Sequence, residues 1–316
     1  MIITFLGTSS GAPTTKRNVS GIALRFTQQA KWWLLDCGEG TQHQILHAPV
    51  KLSQLEKIFI THLHGDHLYG LIGLLASRSL RGGGETGVAL YGPPGIKEYV
   101  EGIMAVSPVH LQYDLSIHTV SPGVIFEDED IIVKAAAVAH RVPAYAYAIE
   151  EKARPGAFRV DLAVQAGIPA GPLFGRLKKG ERVTLPDGRV VDGRDFVGPD
   201  IPGRKVVYSG DTGPCQAIVE LAADADVLIH EATYAHAEVD LARRAGHSTA
   251  LEAARAAKQA NVNQLLLTHF SPRYESDEGI TMDDLLAEAR EIFPETELAE
   301  DFSSHEVKRL RQLIGG

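Results

Sequence analysis

The sequence predicts an α/β fold whose strands end at chemically active residues. Three observations carry this reading. The run Lys57-Ile58-Phe59-Ile60-Thr61 is apolar and β-branched, as a buried parallel strand tends to be. It gives way to the polar turn His62-Leu-His64-Gly-Asp66-His67, and the apolar stretch Leu68 to Leu75 then reads as a helix packed back on the sheet. The pattern recurs: Ile131 to Val138 leads to His140, Lys205 to Ser209 to Asp211, Ala225 to Ile229 to His230-Glu231, and Gln264 to Thr268 to His269. Polar groups gathered at strand ends are how α/β folds build sites. Finally, 316 residues with 44% hydrophobic and 22% charged content suit a globular chain with one large core, with or without an insertion.

In chain order, Ile2 to Leu6 is a first strand. It opens into Gly7 to Asn18, a glycine- and hydroxyl-rich loop in which Lys16 and Arg17 could neutralise a phosphate. Ser20 to Phe26 and Lys31 to Asp36 form a hairpin. The following segment, Asp36-Cys-Gly-Glu-Gly-Thr41, offers Asp36 as support for a metal-binding histidine. His43 and His47 lie four apart on the next helix, and a structural role is expected for both. Gly82 to Gly87 is read as a mobile connection, Val88 to Gly92 as a strand and Ile96 to Val106 as a helix. Val142 to Ile149 continues the sheet.

Composition changes near Glu151, and residues 152–194 are read as an inserted arm rich in Gly, Pro and charge. Pro186-Asp187-Gly188 marks a turn between Arg182–Leu185 and Val190–Val191. From Gly171 to Arg194, six bases (Arg176, Lys178, Lys179, Arg182, Arg189, Arg194) face three acids (Glu181, Asp187, Asp192). This local excess of +3 points to contact with a nucleic-acid backbone. Gly246-His247-Ser248-Thr249 precedes an alanine-rich helix to about Ala260. The acidic segment from Asp277 is read as solvated helix, broken at Phe293-Pro294.

The net charge of −9 argues against nucleic-acid binding by a general field, so any such partner must meet a local basic patch. Two cysteines, Cys37 and Cys215, make no disulfide framework and no metal-type pair, and are read as buried free thiols. The start of the chain lacks the basic and apolar pattern of a signal peptide. No apolar run approaches the ~20 residues that span a bilayer. A cytoplasmic location without membrane contact is expected.

Three imidazoles and a carboxylate within six residues suit a borderline metal such as zinc. The motif His62-x-His64-x-Asp66-His67 resembles the signature of the metallo-β-lactamase-fold hydrolases, which implies an αββα sandwich with metals at one edge of its two sheets. The later motifs narrow the resemblance to the ribonuclease Z family of tRNA 3′-processing endonucleases. His230-Glu-Ala-Thr233 and His247-Ser-Thr249 look like that family's two named loops. Gly171-Pro172 with Leu177-Lys178-x-Gly180 looks like its flexible arm, and Pro13 to Asn18 like its phosphate-contacting loop, although Thr15 stands where the family has lysine.

The resemblance implies two zinc ions per chain, or Mn2+ or another divalent metal in their place. His62, His64 and His140 would hold one, Asp66, His67 and His269 the other, with Asp211 bridging. It further implies hydrolysis of one phosphodiester of precursor tRNA, leaving a tRNA 3′-hydroxyl and a 5′-phosphorylated trailer. Asp66 would orient the nucleophile or take its proton, and His247, held by Glu231, would protonate the leaving oxygen. RNA contacts would come from Lys16, Arg17, Gly171, Pro172, Arg176, Lys178, Lys179 and Arg182, in a homodimer where one copy's arm serves the other's metals. Two alternatives stay open: another binuclear hydrolase acting on thioesters, lactams or small phosphodiesters, and a non-catalytic RNA-binding scaffold.

Overall fold

A computed structural model describes residues 1–27, 29–81, 86–276 and 278–308. The glycine-rich connection expected at 82–87 therefore lies mostly outside the described residues. Along the chain come β1 (Ile2–Gly7), β2 (Gly21–Arg25), β3 (Trp32–Cys37), β4 (Leu55–Phe59), β5 (Val88–Gly92) and β6 (Leu115–Thr119). A second series follows as β7 (Gly123–Glu127), β8 (Ile131–Ala137) and β9 (Tyr145–Glu151). Two short strands, β10 (Arg182–Thr184) and β11 (Val190–Asp192), belong to the insertion. The series then resumes with β12 (Lys205–Tyr208), β13 (Val227–Glu231), β14 (Gln264–Thr268) and β15 (Thr296–Leu298), and β16 (Ser304–Glu306) closes the chain. They form two seven-stranded sheets, in the orders β16-β1-β2-β3-β4-β5-β6 and β15-β14-β13-β12-β9-β8-β7.

Side chains alternate between faces along a strand. In β3, Trp33 and Leu35 enter the core shared with the second sheet, where Phe59, Tyr147, Val206, Tyr208 and Ile229 meet them. Trp32 and Leu34 turn the other way, toward Leu71, Leu74 and Leu75 of the helix Leu71–Leu80 and Ile96 and Val100 of the helix Ile96–Val106. The second sheet repeats this arrangement. Leu228, Leu265 and Leu267 lie against Ala250, Ala253, Ala254 and Ala257 of the helix Ala250–Gln259 and Leu285 and Ala289 of the helix Met282–Ile292. Both faces of each sheet are covered, which gives the αββα sandwich expected from the sequence.

Two expectations need correction. The segment after Asp277 is more than a solvated helix. Its helix buries Leu285 and Ala289, and the chain beyond Phe293 supplies β15 and β16, an edge strand for each sheet. Short strands of three residues carry too little periodicity to be seen in sequence.

The second correction concerns the insertion. Contacts divide the described chain into two compact units, Met1–Glu150 with Arg204–Lys308, and Glu151–Gly203. The smaller unit is longer than residues 152–194, and it is not merely a flexible hairpin. The expected hairpin is present as β10 paired antiparallel with β11, but helices Val160–Gln165 and Pro172–Lys178 accompany it. Ala163, Ile168, Leu177, Val183, Leu185 and Phe196 bury a small core of their own. Gly171 has φ of 149°, and Pro172 opens the helix at its first turn, where a missing N–H costs nothing. Gly-Pro thus has a local structural purpose.

Candidate metal centre

The ends of β4, β8, β12, β13 and β14 bring the strand-end residues together. Among the described residues three groups result, in each of which the ligand atoms lie within 4.8 Å of one another: two His/Asp clusters, His62, His64, His140 and Asp211, and Asp66, His67, Asp211 and His269, and beside them Glu231, His247 and His269. Asp211 belongs to both His/Asp clusters. His140 Nε2 lies 3.2 Å from His64 Nδ1, and His67 Nε2 lies 3.1 Å from His269 Nε2. Asp211 Oδ1 is 3.3 Å from both His67 and His269, and its Oδ2 is 3.5 Å from His62 Nε2.

These residues fit a metal. Ligands about 2.0–2.2 Å from a tetrahedral zinc stand roughly 3.3–3.6 Å from each other. Among the described residues, His62 Nε2 and Asp211 Oδ1 are buried without a hydrogen-bond partner, which is costly unless a cation meets them. Four rings are also fixed from behind, with the far nitrogen turned to the cluster. His67 Nδ1 donates to Asp36 Oδ2 at 2.7 Å, and His140 Nδ1 to the carbonyl of Gly246 at 2.8 Å. His62 Nδ1 donates to Thr61 Oγ1 at 3.0 Å, and His269 Nδ1 to Thr233 Oγ1 at 2.9 Å. Such partners set the tautomer and the ring direction.

The polar frame extends inward. Asp36 is fully buried and also accepts from Thr61 N (2.7 Å) and Tyr208 Oη (2.8 Å), so one carboxylate ties β3, β4 and β12. Asp36 and His269 both hold left-handed backbone, with φ of 58° and 60°, a strain that tends to collect at functional sites. Gly210, with φ of 58°, brings its backbone so close that an added Cβ would meet Thr61 at 2.8 Å. Burial favours the uncharged form of Asp211, but His269, His67 and His62 overcome it and hold the carboxyl well below the usual range. Burial likewise lowers the pKa of His62.

Beside these clusters, His247 Nδ1 donates to Glu231 Oε1 at 2.7 Å. Glu231 is 1% exposed and fully engaged: Thr212 N donates to Oε1, and Thr233 N and Oγ1 donate to Oε2. Burial opposes charge on His247, yet the Glu231 carboxylate wins and its pKa is pushed up to about 9. The imidazole is therefore protonated near neutral pH. The sequence singled out this pair, but not Thr233 or the Gly246 carbonyl that brace the rings. The threonine of His-Glu-Ala-Thr, one residue beyond a strand-end turn, was the available signal.

Other singled-out residues fall elsewhere. Asp66 Oδ2 faces His269 Nε2 at 3.3 Å and accepts from the backbone N–H of Gly11 at 2.8 Å. Lys16 is exposed. Arg17 is not: its Nη1 donates to Thr8 Oγ1 and to the carbonyl of Ala299, and its guanidinium lies over the Phe270 ring. It braces the loop, and these bonds tie its guanidinium into the chain, with 12% of the side chain exposed. His43 and His47 are exposed and outside both clusters. Cys37 is buried, whereas Cys215 is only half-buried. In the insertion, Arg176, Arg182, Arg189 and Arg194 pair with Glu181, Asp192 and Asp187, while Lys178 and Lys179 are exposed with no ion pair among the described residues.

The chain matches known proteins along its whole length. A ribonuclease Z from Brevibacillus brevis is 67% identical over 312 residues, covering 98% of both chains. The chain belongs to the ribonuclease Z family. A second ribonuclease Z, from Acaryochloris marina, is 54% identical over 309 residues, again covering 98% of each chain. Among solved structures, human tRNase Z, short form, superposes with a TM-score of 0.71 at 30% identity, covering 98% of this chain and all (100%) of that one. The metallo-beta-lactamase fold protein YhfI from Bacillus subtilis shares the fold at 20% identity and a TM-score of 0.67, covering 96% of this chain and 98% of its own. Family models match in two parts: that of the anti-Pycsar protein Apyc1 over residues 1–147, and that of the beta-lactamase superfamily domain over residues 176–270. Membership of this family and the two His/Asp clusters together make the strand ends a divalent-metal site. No helix among the described residues is long and apolar enough to cross a membrane.

Proposed function

We propose that this chain is a tRNA 3′-processing endonuclease that holds two zinc ions and hydrolyses one phosphodiester of precursor tRNA. The observation that carries the reading is the juxtaposition of two clusters sharing Asp211 with the charged His247–Glu231 pair, in a chain of this family. His62, His64 and His140 would hold one ion and Asp66, His67 and His269 the other. When bound, a metal pair supplies Lewis acidity that activates water and neutralises charge on phosphorus.

The protein's own groups do the rest. Asp66 is held by the Gly11 N–H and orients the attacking water; among two imidazole nitrogens its carboxylate is a weak base, so orientation is its larger part. His247 donates its Nε2 proton to the departing ribose 3′-oxygen, and Glu231 steadies the resulting neutral ring through the Nδ1–H. Products are a tRNA 3′-hydroxyl and a 5′-phosphorylated trailer. Residues 152–194, and by the observed boundary the whole unit 151–203, bind tRNA through Lys178 and Lys179 chiefly, with Arg176 and Arg182 beside them and Lys16 from the N-terminal loop. Gly171 and Pro172 shape that unit. A homodimer acting in the cytoplasm completes the reading.

The deciding experiment maps the products of a 3′-extended tRNA at nucleotide resolution. One cut at the end of the acceptor stem is expected. Stepwise shortening of the trailer, or no cleavage by metal-replete protein, would overturn the assignment.

A further inference from the structure

A pocket behind the proton donor has no part in the chemistry above. It encloses about 320 Å³, at the lower end of the range of small-molecule sites, roughly 300–1,000 Å³. Ile218, Val219 and Ala256 give it an apolar wall, and His230, Ser248 and Arg255 give it polar groups. His230 is the informative one. It is 1% exposed, and its Nδ1–H is spent on the carbonyl of Glu231 at 2.7 Å. That bond fixes the tautomer and leaves Nε2 as a lone-pair acceptor with no hydrogen-bond partner among the described residues. Because His230 lines the pocket, that lone pair is placed to accept a hydrogen bond from an occupant.

Arg255 is exposed and has no ion pair among the described residues, so the rim carries an unneutralised cation. Glu252, also in the wall, has its Oε2 engaged by Thr249 N and Oγ1 in the cap of the helix Ala250–Gln259. The complementary molecule has a flat apolar body, an N–H donor and an anionic group. We propose that this pocket is a second nucleotide site, which takes a 5′-nucleoside monophosphate. Its base lies against Ile218, Val219 and Ala256 and donates an N–H to His230 Nε2, and its phosphate meets Arg255.

The pocket is wired to the proton donor. Ser248 Oγ donates to the carbonyl of Thr212 at 2.6 Å, and Thr212 N donates to Glu231 Oε1 at 2.8 Å, the oxygen that holds His247. An occupant seated on Ser248 and His230 therefore biases the Glu231–His247 pair, and turnover at the metal centre changes with occupancy.

Equilibrium dialysis of labelled AMP against the metal-loaded protein tests this, with adenosine and inorganic phosphate as competitors. Ala256→Leu fills the pocket, and Arg255→Gln removes the rim cation at an exposed position. Each variant is expected to weaken one class of AMP binding at least tenfold while hydrolysis of bis(p-nitrophenyl) phosphate without AMP stays unchanged. AMP is expected to shift kcat for that substrate in the parent protein and not in the variants. Identical AMP isotherms in all three proteins would mean binding at the metal centre only and would overturn the proposal. Phosphate or adenosine competing as well as AMP would overturn the nucleotide assignment, and an unchanged kcat would overturn the coupling. Cleavage of precursor tRNA by the same samples keeps this outcome separate from that of the proposed function.

Discussion

At the scale of single residues, placement decides chemistry more than residue type does. His247 and His67 are both imidazoles beside a carboxylate, yet their free nitrogens point to different work. His67 Nε2 faces His269 and Asp211, whereas His247 lies at the edge with 14% of its side chain exposed. His247→Ala should lower the chemical step on precursor tRNA by about 10²–10⁴-fold with metal content unchanged. The loss should shrink on bis(p-nitrophenyl) phosphate, whose leaving group needs no proton. An equal loss on both substrates would assign the ring to bracing instead. Asp36 makes a second case. Asparagine there keeps a single accepting oxygen, so its NH2 would face either the Nδ1–H of His67 or the N–H of Thr61, and the frame that aims the ring would lose a bond. Asp36→Asn should weaken metal retention about 10–100-fold in a chelator titration. Retention equal to that of the parent would remove Asp36 from the metal-holding frame.

At the scale of elements, strands deliver the candidate site and short local structures tune it. β13 carries Glu231 at its end and β14 stops just before His269, so their parallel pairing sets Glu231 level with Thr268. The helix Pro172–Lys178 shows the same economy in the smaller unit: Leu177 is buried, while Lys178 and Lys179 face solvent. The neighbouring arginines spend charge on carboxylates two to ten residues away. Exposed pairs of this kind contribute little to stability, but they halve the free positive charge. Lys178→Ala with Lys179→Ala should weaken binding of precursor tRNA and reduce the slope of log K against log salt by about 1–2. An unchanged slope would move the RNA contact elsewhere.

At the scale of the whole molecule, the insertion interrupts two strands that pair with each other. Lys205 of β12 lies opposite Glu150 of β9, so the chain can be rejoined there by a short turn. Removing only residues 171–194 would cut Leu177, Val183 and Leu185 away from Ala163 and Ile168, and expose a broken core. Excising 152–203 with a Gly-Ser turn is the cleaner change. The excised protein should hydrolyse bis(p-nitrophenyl) phosphate within a few-fold of the parent and lose most of its affinity for precursor tRNA. Full tRNA affinity in the folded, excised protein would refute the insertion as the binding element.

The sequence by itself determined what is local. The His62–His67 motif, its strand and turn, the alanine-rich helix and the hairpin around Pro186-Asp187-Gly188 depend on neighbours a few residues apart, where periodicity and turn chemistry act. The strand-end histidines were legible for the same reason. Only the tertiary structure decided what depends on register between distant strands. It set Asp36 behind His67, Thr233 behind His269 and Gly246 behind His140, across separations of 31, 36 and 106 residues. It also turned Arg17 inward to a carbonyl 282 residues away and gave the insertion its own core. Such contacts leave no local pattern, because a hydrogen-bond donor reads the same in sequence whether it faces water or a buried carbonyl.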